Sequence, residues 1–137
     1  MQKLVFLVRK IRQIALFKVS TRAIVITLMI LGAWVATRKL EFPPGVSIND
    51  KLIHVVVFFG FAVLVDLASS RRPFWLWKGL PLLAYGIGVE VMQYFTPFRS
   101  FSIVDMIADL AGIFIYFSLK ISILYIAKRN SNNSKIL

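Results

Sequence analysis

Residues 52–70 read LIHVVVFFGFAVLVDLASS, an apolar run whose ionisable residues are His54 near its start and Asp66 near its end. About 17–25 residues of helix cover a hydrocarbon core, and this stretch has that length. Three further blocks share its character, Ala23–Thr37, Gly79–Thr96 and Ile103–Leu119, each roughly 15–19 residues long. The 137-residue chain is 58% hydrophobic with a mean hydropathy of +0.77, against about 45–50% apolar for a soluble domain. A soluble chain this short has too much surface facing water to bury four such helices. The expected fold is all-α, a transmembrane helical bundle of about four spans.

The segments between the blocks fix the expected topology. Formal charge is +11, from 17 basic and six acidic residues. The bases lie between apolar blocks and not on one face of a soluble scaffold, which points away from nucleic acid and toward a membrane. With the N-terminus inside, Lys and Arg number 13 on inner segments and four on outer ones. The positive-inside rule then places both termini in the cytoplasm, in a multi-pass protein of the cytoplasmic (inner) membrane. There is no cysteine, so disulfides, thiolate catalysis and thiolate metal sites are excluded.

Residues 1–22 place Leu4, Leu7, Val8, Ile11, Ile14 and Ala15 on one helical face and Lys3, Arg9, Lys10, Arg12 and Gln13 on the other. That predicts a basic amphipathic helix lying on the inner membrane surface. The Arg38-Lys39 pair after the first apolar block, without a small-residue cleavage pattern, favours a retained span over a cleaved signal. Pro43-Pro44-Gly45 marks a turn, and Ser47 or Asn49 is a helix N-cap. Trp75, Trp77 and Lys78 read as an interfacial belt, and Asn130–Lys135 as a disordered tail end.

Ionisable residues at membrane depth are costly and usually face the bundle interior. In the expected topology Asp50, Lys51 and His54 open the second span, Glu90 and Gln93 lie near the outer end of the third, Arg99 and Ser102 are in the outer loop, and Asp105 and Asp109 begin the fourth. The pairs 51/54, 90/93 and 105/109 are spaced i,i+3 or i,i+4, so each shares one helix face. Three segments thus bring polar groups to one outer level, with Arg99 expected to pair with Asp105 or Glu90 and His54 to face the third helix. The same charges can instead lock helices together, Arg99 to Asp105 and Lys51 to Glu90, without chemistry. Asp66 reads as an inner interfacial ion pair with Arg71 or Arg72. Gly86, Gly88 and Gly112 are expected to allow close helix approach.

The combination Asp50-Lys51-x-x-His54, Glu90-x-x-Gln93 and Arg99-Ser100-Phe101-Ser102-x-x-Asp105-x-x-x-Asp109-x-x-Gly112 resembles the VanZ-like family of small membrane proteins. The resemblance covers about residues 25–120. Asp109 stands where the family usually has Asn. The chain is thus expected to divide into a basic cytoplasmic amphipathic segment (1–22), a VanZ-like transmembrane domain (23–120) and a cytoplasmic tail (121–137). The resemblance implies an envelope protein, in a family named for a member linked to teicoplanin resistance. Three functions fit. One is a non-enzymatic protein binding a lipid-linked or anionic surface ligand through Lys51 and Arg99. Another is an intramembrane enzyme acting on a lipid head group, with His54 as acid or base or with carboxylates holding a divalent cation. The third is a proton-coupled transporter. Membrane lipids are the expected partners and nucleic acid is not. No cofactor is expected and no metal ligand is assigned.

Overall fold

The computed structural model describes residues 2–11, 14–38, 49–97 and 99–133, and these are all-helical. The elements are α1 (Gln2–Ile11), α2 (Ala15–Ala36), α3 (Asp50–Ala68), a π-helical turn (Trp75–Gly79) that runs directly into α4 (Leu80–Tyr94), and α5 (Ile103–Asn133). The turn around Pro43–Gly45, the Ser47 cap and Arg12 and Gln13 lie outside the described residues.

Among the described residues, α2, α3 and α5 are long and apolar enough to cross a membrane. The third block, Gly79–Thr96, forms a shorter helix, 15 residues in α4. With the five residues of the π turn the continuous coil is about 30 Å long, the thickness of a hydrocarbon core. The π turn has a local cause. Pro81 lacks an N–H and its ring crowds the carbonyl four residues earlier. The wider turn, in which Leu80 N–H bonds to Trp75 O, makes room for that ring.

Asn49 is the N-cap of α3, its side chain accepting from Lys51 N–H at 3.0 Å and Leu52 N–H at 3.3 Å. The central helix is α3, which packs against α2, α4 and α5. The remaining apolar surface, including Leu52, Ile103 and Phe114, faces outward, as expected where lipid is the solvent. Phe58, Phe61, Ala62, Phe74, Leu82 and Ile113 form the core.

The α3–α5 contact is the most extensive in the bundle. A Cβ on Gly112 would collide with Val55 O and lie 2.9 Å from Phe59 N, so only glycine lets these backbones meet. A Cβ on Gly86 would collide with the Asp109 carboxylate. Gly88 has nothing within 4 Å and plays no such part, contrary to the expectation for it.

Other expectations also need correction. The first apolar helix starts at Ala15, not Ala23, because Lys18 and Arg22 lie on α2 and not on a surface helix. Long basic stems reach polar partners from inside such a helix, and Arg22 Nε donates to Ala68 O at 3.2 Å. The amphipathic part is confined to α1, which packs against α5. At the other end α5 continues through Asn130 to Asn133, where a disordered tail was expected; a helix already ordered by the bundle extends at little nucleation cost. Lys78 is 2% exposed, not interfacial.

Candidate functional site

The nine residues singled out from the sequence gather at one end of the bundle, where α3 begins, α4 ends and α5 begins. Across the α3–α5 seam, His54 Nδ1 lies 2.7 Å from Asp109 Oδ1, and His54 Nε2 lies 3.9 Å from Asp105 Oδ2. Lys51 Nζ stands 3.4 Å from Asp105 Oδ1, a charge contact without hydrogen-bond alignment. From α4, Glu90 Oε2 accepts the Ser102 N–H at 2.8 Å. Ser102 Oγ in turn accepts the Asp105 N–H at 3.2 Å, capping α5.

Two members hold other elements in place. Gln93 Nε2 donates to Ala36 O at 3.0 Å, satisfying a carbonyl at the C-terminal end of α2, where the helix leaves its last acceptors open. Tyr85, which the sequence did not single out, donates to Met29 O at 2.7 Å and ties α4 to the middle of α2. The expectation that Arg99 pairs with Asp105 or Glu90 is not met: among the described residues its guanidinium has no hydrogen bond or ion pair. It lies on the eight-residue connection between α4 and α5, whose path local sequence does not determine, and it borders a cleft instead. Nor does His54 bond to α4; the α3–α5 backbone contact brings Asp109 nearer. Lys51 reaches Asp105 and not Glu90, because Glu90 is fully buried.

The cleft has a volume of about 400 Å³ and is bordered by Asp50, Lys51, His54, Gln93, Arg99, Ser102 and Asp105. Its apolar wall includes Val57, Phe58, Phe61 and Val89. Behind it three carboxylate oxygens, Glu90 Oε1, Asp105 Oδ1 and Asp109 Oδ2, are buried without a hydrogen-bond partner. One ligand atom from each of His54, Glu90 and Asp105 lies within 4.8 Å of the other two, although the sequence assigned no metal ligand.

A second polar cluster sits at the opposite end of α3. Asp66 is 2% exposed and receives Lys78 Nζ at 2.6 Å, Lys120 Nζ at 2.7 Å and Tyr116 Oη at 2.7 Å. Lys78 also donates to Ser69 O at 2.7 Å. The expected partners Arg71 and Arg72 follow the helix end and are exposed; the guanidinium of Arg71 stacks on Trp77 at 4.9 Å. Tyr116 and Lys120 are spaced i,i+4, a face-sharing signal that a sequence search for Asp66 partners could have used. Between the two clusters, Phe58, Phe61 and Ala62 on α3 and Ile113 on α5 are buried and apolar.

The sequence of residues 4–125 matches the family model described as VanZ/LLP1. A protein of the fission yeast Schizosaccharomyces pombe, named only as an uncharacterized protein, is 36% identical over 113 residues, covering 78% of this chain and 65% of the relative. The chain therefore spans a little under two thirds of that relative's length. No solved structure matches. The match over nearly the whole helical bundle, carrying the motifs that build the His54–Asp109 seam, establishes that this chain belongs to the VanZ/LLP1 family.

Proposed function

We propose that the cleft beside His54 binds the anionic headgroup of a lipid-linked or cell-surface ligand, with Lys51 and Arg99 as its cationic contacts. In this reading the cleft opens on the outer face of the cytoplasmic membrane and both termini lie in the cytoplasm. The observation that carries it is Arg99, a guanidinium bordering a polar cleft with no acidic partner among the described residues. A guanidinium so placed matches phosphate or carboxylate in bidentate geometry. The apolar wall of Val57, Phe58 and Val89 suits the lipid portion of such a ligand, as small-molecule sites combine few polar groups with an apolar lining. Changes in envelope assembly, with teicoplanin susceptibility as one readout, follow from sequestering a surface ligand.

A lipid-extract pull-down with mass spectrometry tests this reading. The native chain is expected to enrich one class of anionic lipid, and Arg99→Ala to lose it; equal recovery by both chains removes the proposal. The His54–Asp109 contact favours a second reading, an enzyme in which an oriented imidazole acts as general base on the bound headgroup. Appearance of a modified headgroup with the native chain and not with His54→Gln distinguishes it. The buried apolar layer between His54 and Asp66 argues against a polar path for transport.

A further inference from the structure

Three elements each place a candidate ligand atom within 4.8 Å of the other two. On α3, His54 has its Nδ1 engaged by Asp109. The Nδ1–H tautomer that donates to a carboxylate leaves the Nε2 lone pair on the side of Asp105. That arrangement, a carboxylate holding the far nitrogen, is how metal-binding imidazoles are usually oriented. On α4, Glu90 is 0% exposed; Oε2 is held by Ser102, while Oε1 is buried with no hydrogen-bond partner. A buried carboxylate oxygen left in this way is costly. On α5, Asp105 Oδ2 lies 3.9 Å from His54 Nε2, while Oδ1 is buried without a hydrogen bond, with the Lys51 amine 3.4 Å away. A cation bonded at about 2.0–2.2 Å spans at most ~4.4 Å between two ligand atoms, so groups within 4.8 Å of one another need only small side-chain adjustments to close on it.

We propose that His54, Glu90 and Asp105 form a three-ligand divalent cation site, with Asp109 as the positioning residue for the imidazole. One imidazole nitrogen with two carboxylates suits Zn²⁺ or Mn²⁺, and three protein ligands leave a coordination position open toward the cleft. The site deepens the anion-binding reading and rests on it for the group that fills that position. Charge supports the link. Asp50, Glu90, Asp105 and Asp109 supply four carboxylates around Lys51 and Arg99, a balance that repels an anionic headgroup, and a divalent ion offsets it.

The test uses the full, untagged chain in detergent, stripped with a chelator and equilibrated with Zn²⁺ alone. About one zinc per chain is expected, with X-ray absorption showing one imidazole and an oxygen-rich shell. The chain has a single histidine, so the imidazole signal belongs to His54. Glu90→Gln keeps an acceptor for Ser102 and is expected to weaken zinc binding at least ~10-fold; Gly88→Ala, at a position with nothing within 4 Å, leaves it unchanged. Failure to retain zinc, zinc with an all-oxygen shell, or equal affinity in the folded Glu90→Gln chain overturns the site. If Glu90→Gln loses its helical circular dichroism, the imidazole signature of the native chain decides. Repeating the lipid pull-down with and without zinc separates the two readings. Zinc bound without lipid enrichment supports the cation site and removes the anionic ligand; lipid enrichment by a chain that retains no zinc removes the cation site alone.

Discussion

His54 and Asp109 meet across the α3–α5 seam at 2.7 Å, from positions on two different spans. With Asp109 ionised and the imidazole neutral, the pairing calls for Nδ1–H as donor and Nε2 as acceptor. Histidine-selective ¹⁵N spectra of the native chain, above the imidazole titration, are expected to show a protonated Nδ1. Asp109→Asn, the residue usual in the family, still offers an acceptor oxygen and should keep that tautomer. Asp109→Leu should shift it toward Nε2–H; an unchanged spectrum there would mean the contact does not orient the ring.

Arg99→Ala should hardly affect stability. With no acidic partner among the described residues, its removal strands no buried carboxylate, and a change within about 0.5 kcal/mol is expected for such a position. Thermal unfolding in detergent checks this, alongside the loss of ligand in the pull-down. A large drop in unfolding temperature would show that Arg99 is a structural staple.

Asp66→Ala is the opposite case. It removes the carboxylate from a buried cluster and leaves the 2%-exposed Lys78 without that counter-charge, a cost of about 3–5 kcal/mol. Asp66→Ala combined with Lys78→Met should cost less than the sum of the two single changes, since residues in one network couple. Additive losses in reversible unfolding would show that the two do not interact.

Two glycines on neighbouring helices should respond in opposite ways. Gly112→Ala puts a methyl group against Val55 O and Phe59 N, and overpacking of this kind costs about 1–3 kcal/mol. Gly88→Ala meets nothing within 4 Å and should be neutral or stabilise the helix by up to about 1 kcal/mol. Parallel melts of the two variants decide it, with equal destabilisation counting against the α3–α5 contact.

The absence of native cysteine makes topology simple to measure. Cysteines placed at Ser47 and Ser100 should label from outside intact cells, and one at Ser131 only after permeabilisation, in keeping with the positive-inside count. The reverse pattern would turn the cleft toward the cytoplasm.

Helices were readable from the sequence where apolar runs were long, and site residues where their spacing was helical. His54, Asp105 and Asp109 came together because i,i+4 geometry on two adjacent spans leaves few alternatives. Lys78 was not readable. WLWKG has the composition of an interfacial belt, and only the fold brings Asp66 and Lys120 to its amine. Arg99 was misjudged for a related reason: helix periodicity does not extend into the connection that carries it. The start of α2 was obscured by Lys18 and Arg22, whose charges look like a surface segment until their long stems are allowed to reach away from lipid.

The two polar clusters also set a length. From residue 54 to residue 66 of α3 the helix rises only ~18 Å, so the apolar interior between the two clusters is much thinner than a ~30 Å hydrocarbon core. The outward surfaces of α2, α3 and α5 nonetheless stay apolar over spans long enough to cross a membrane. Both clusters are therefore held inside the bundle, well below the ends of its lipid-facing surface, where their charges are screened by salt far less than surface pairs are.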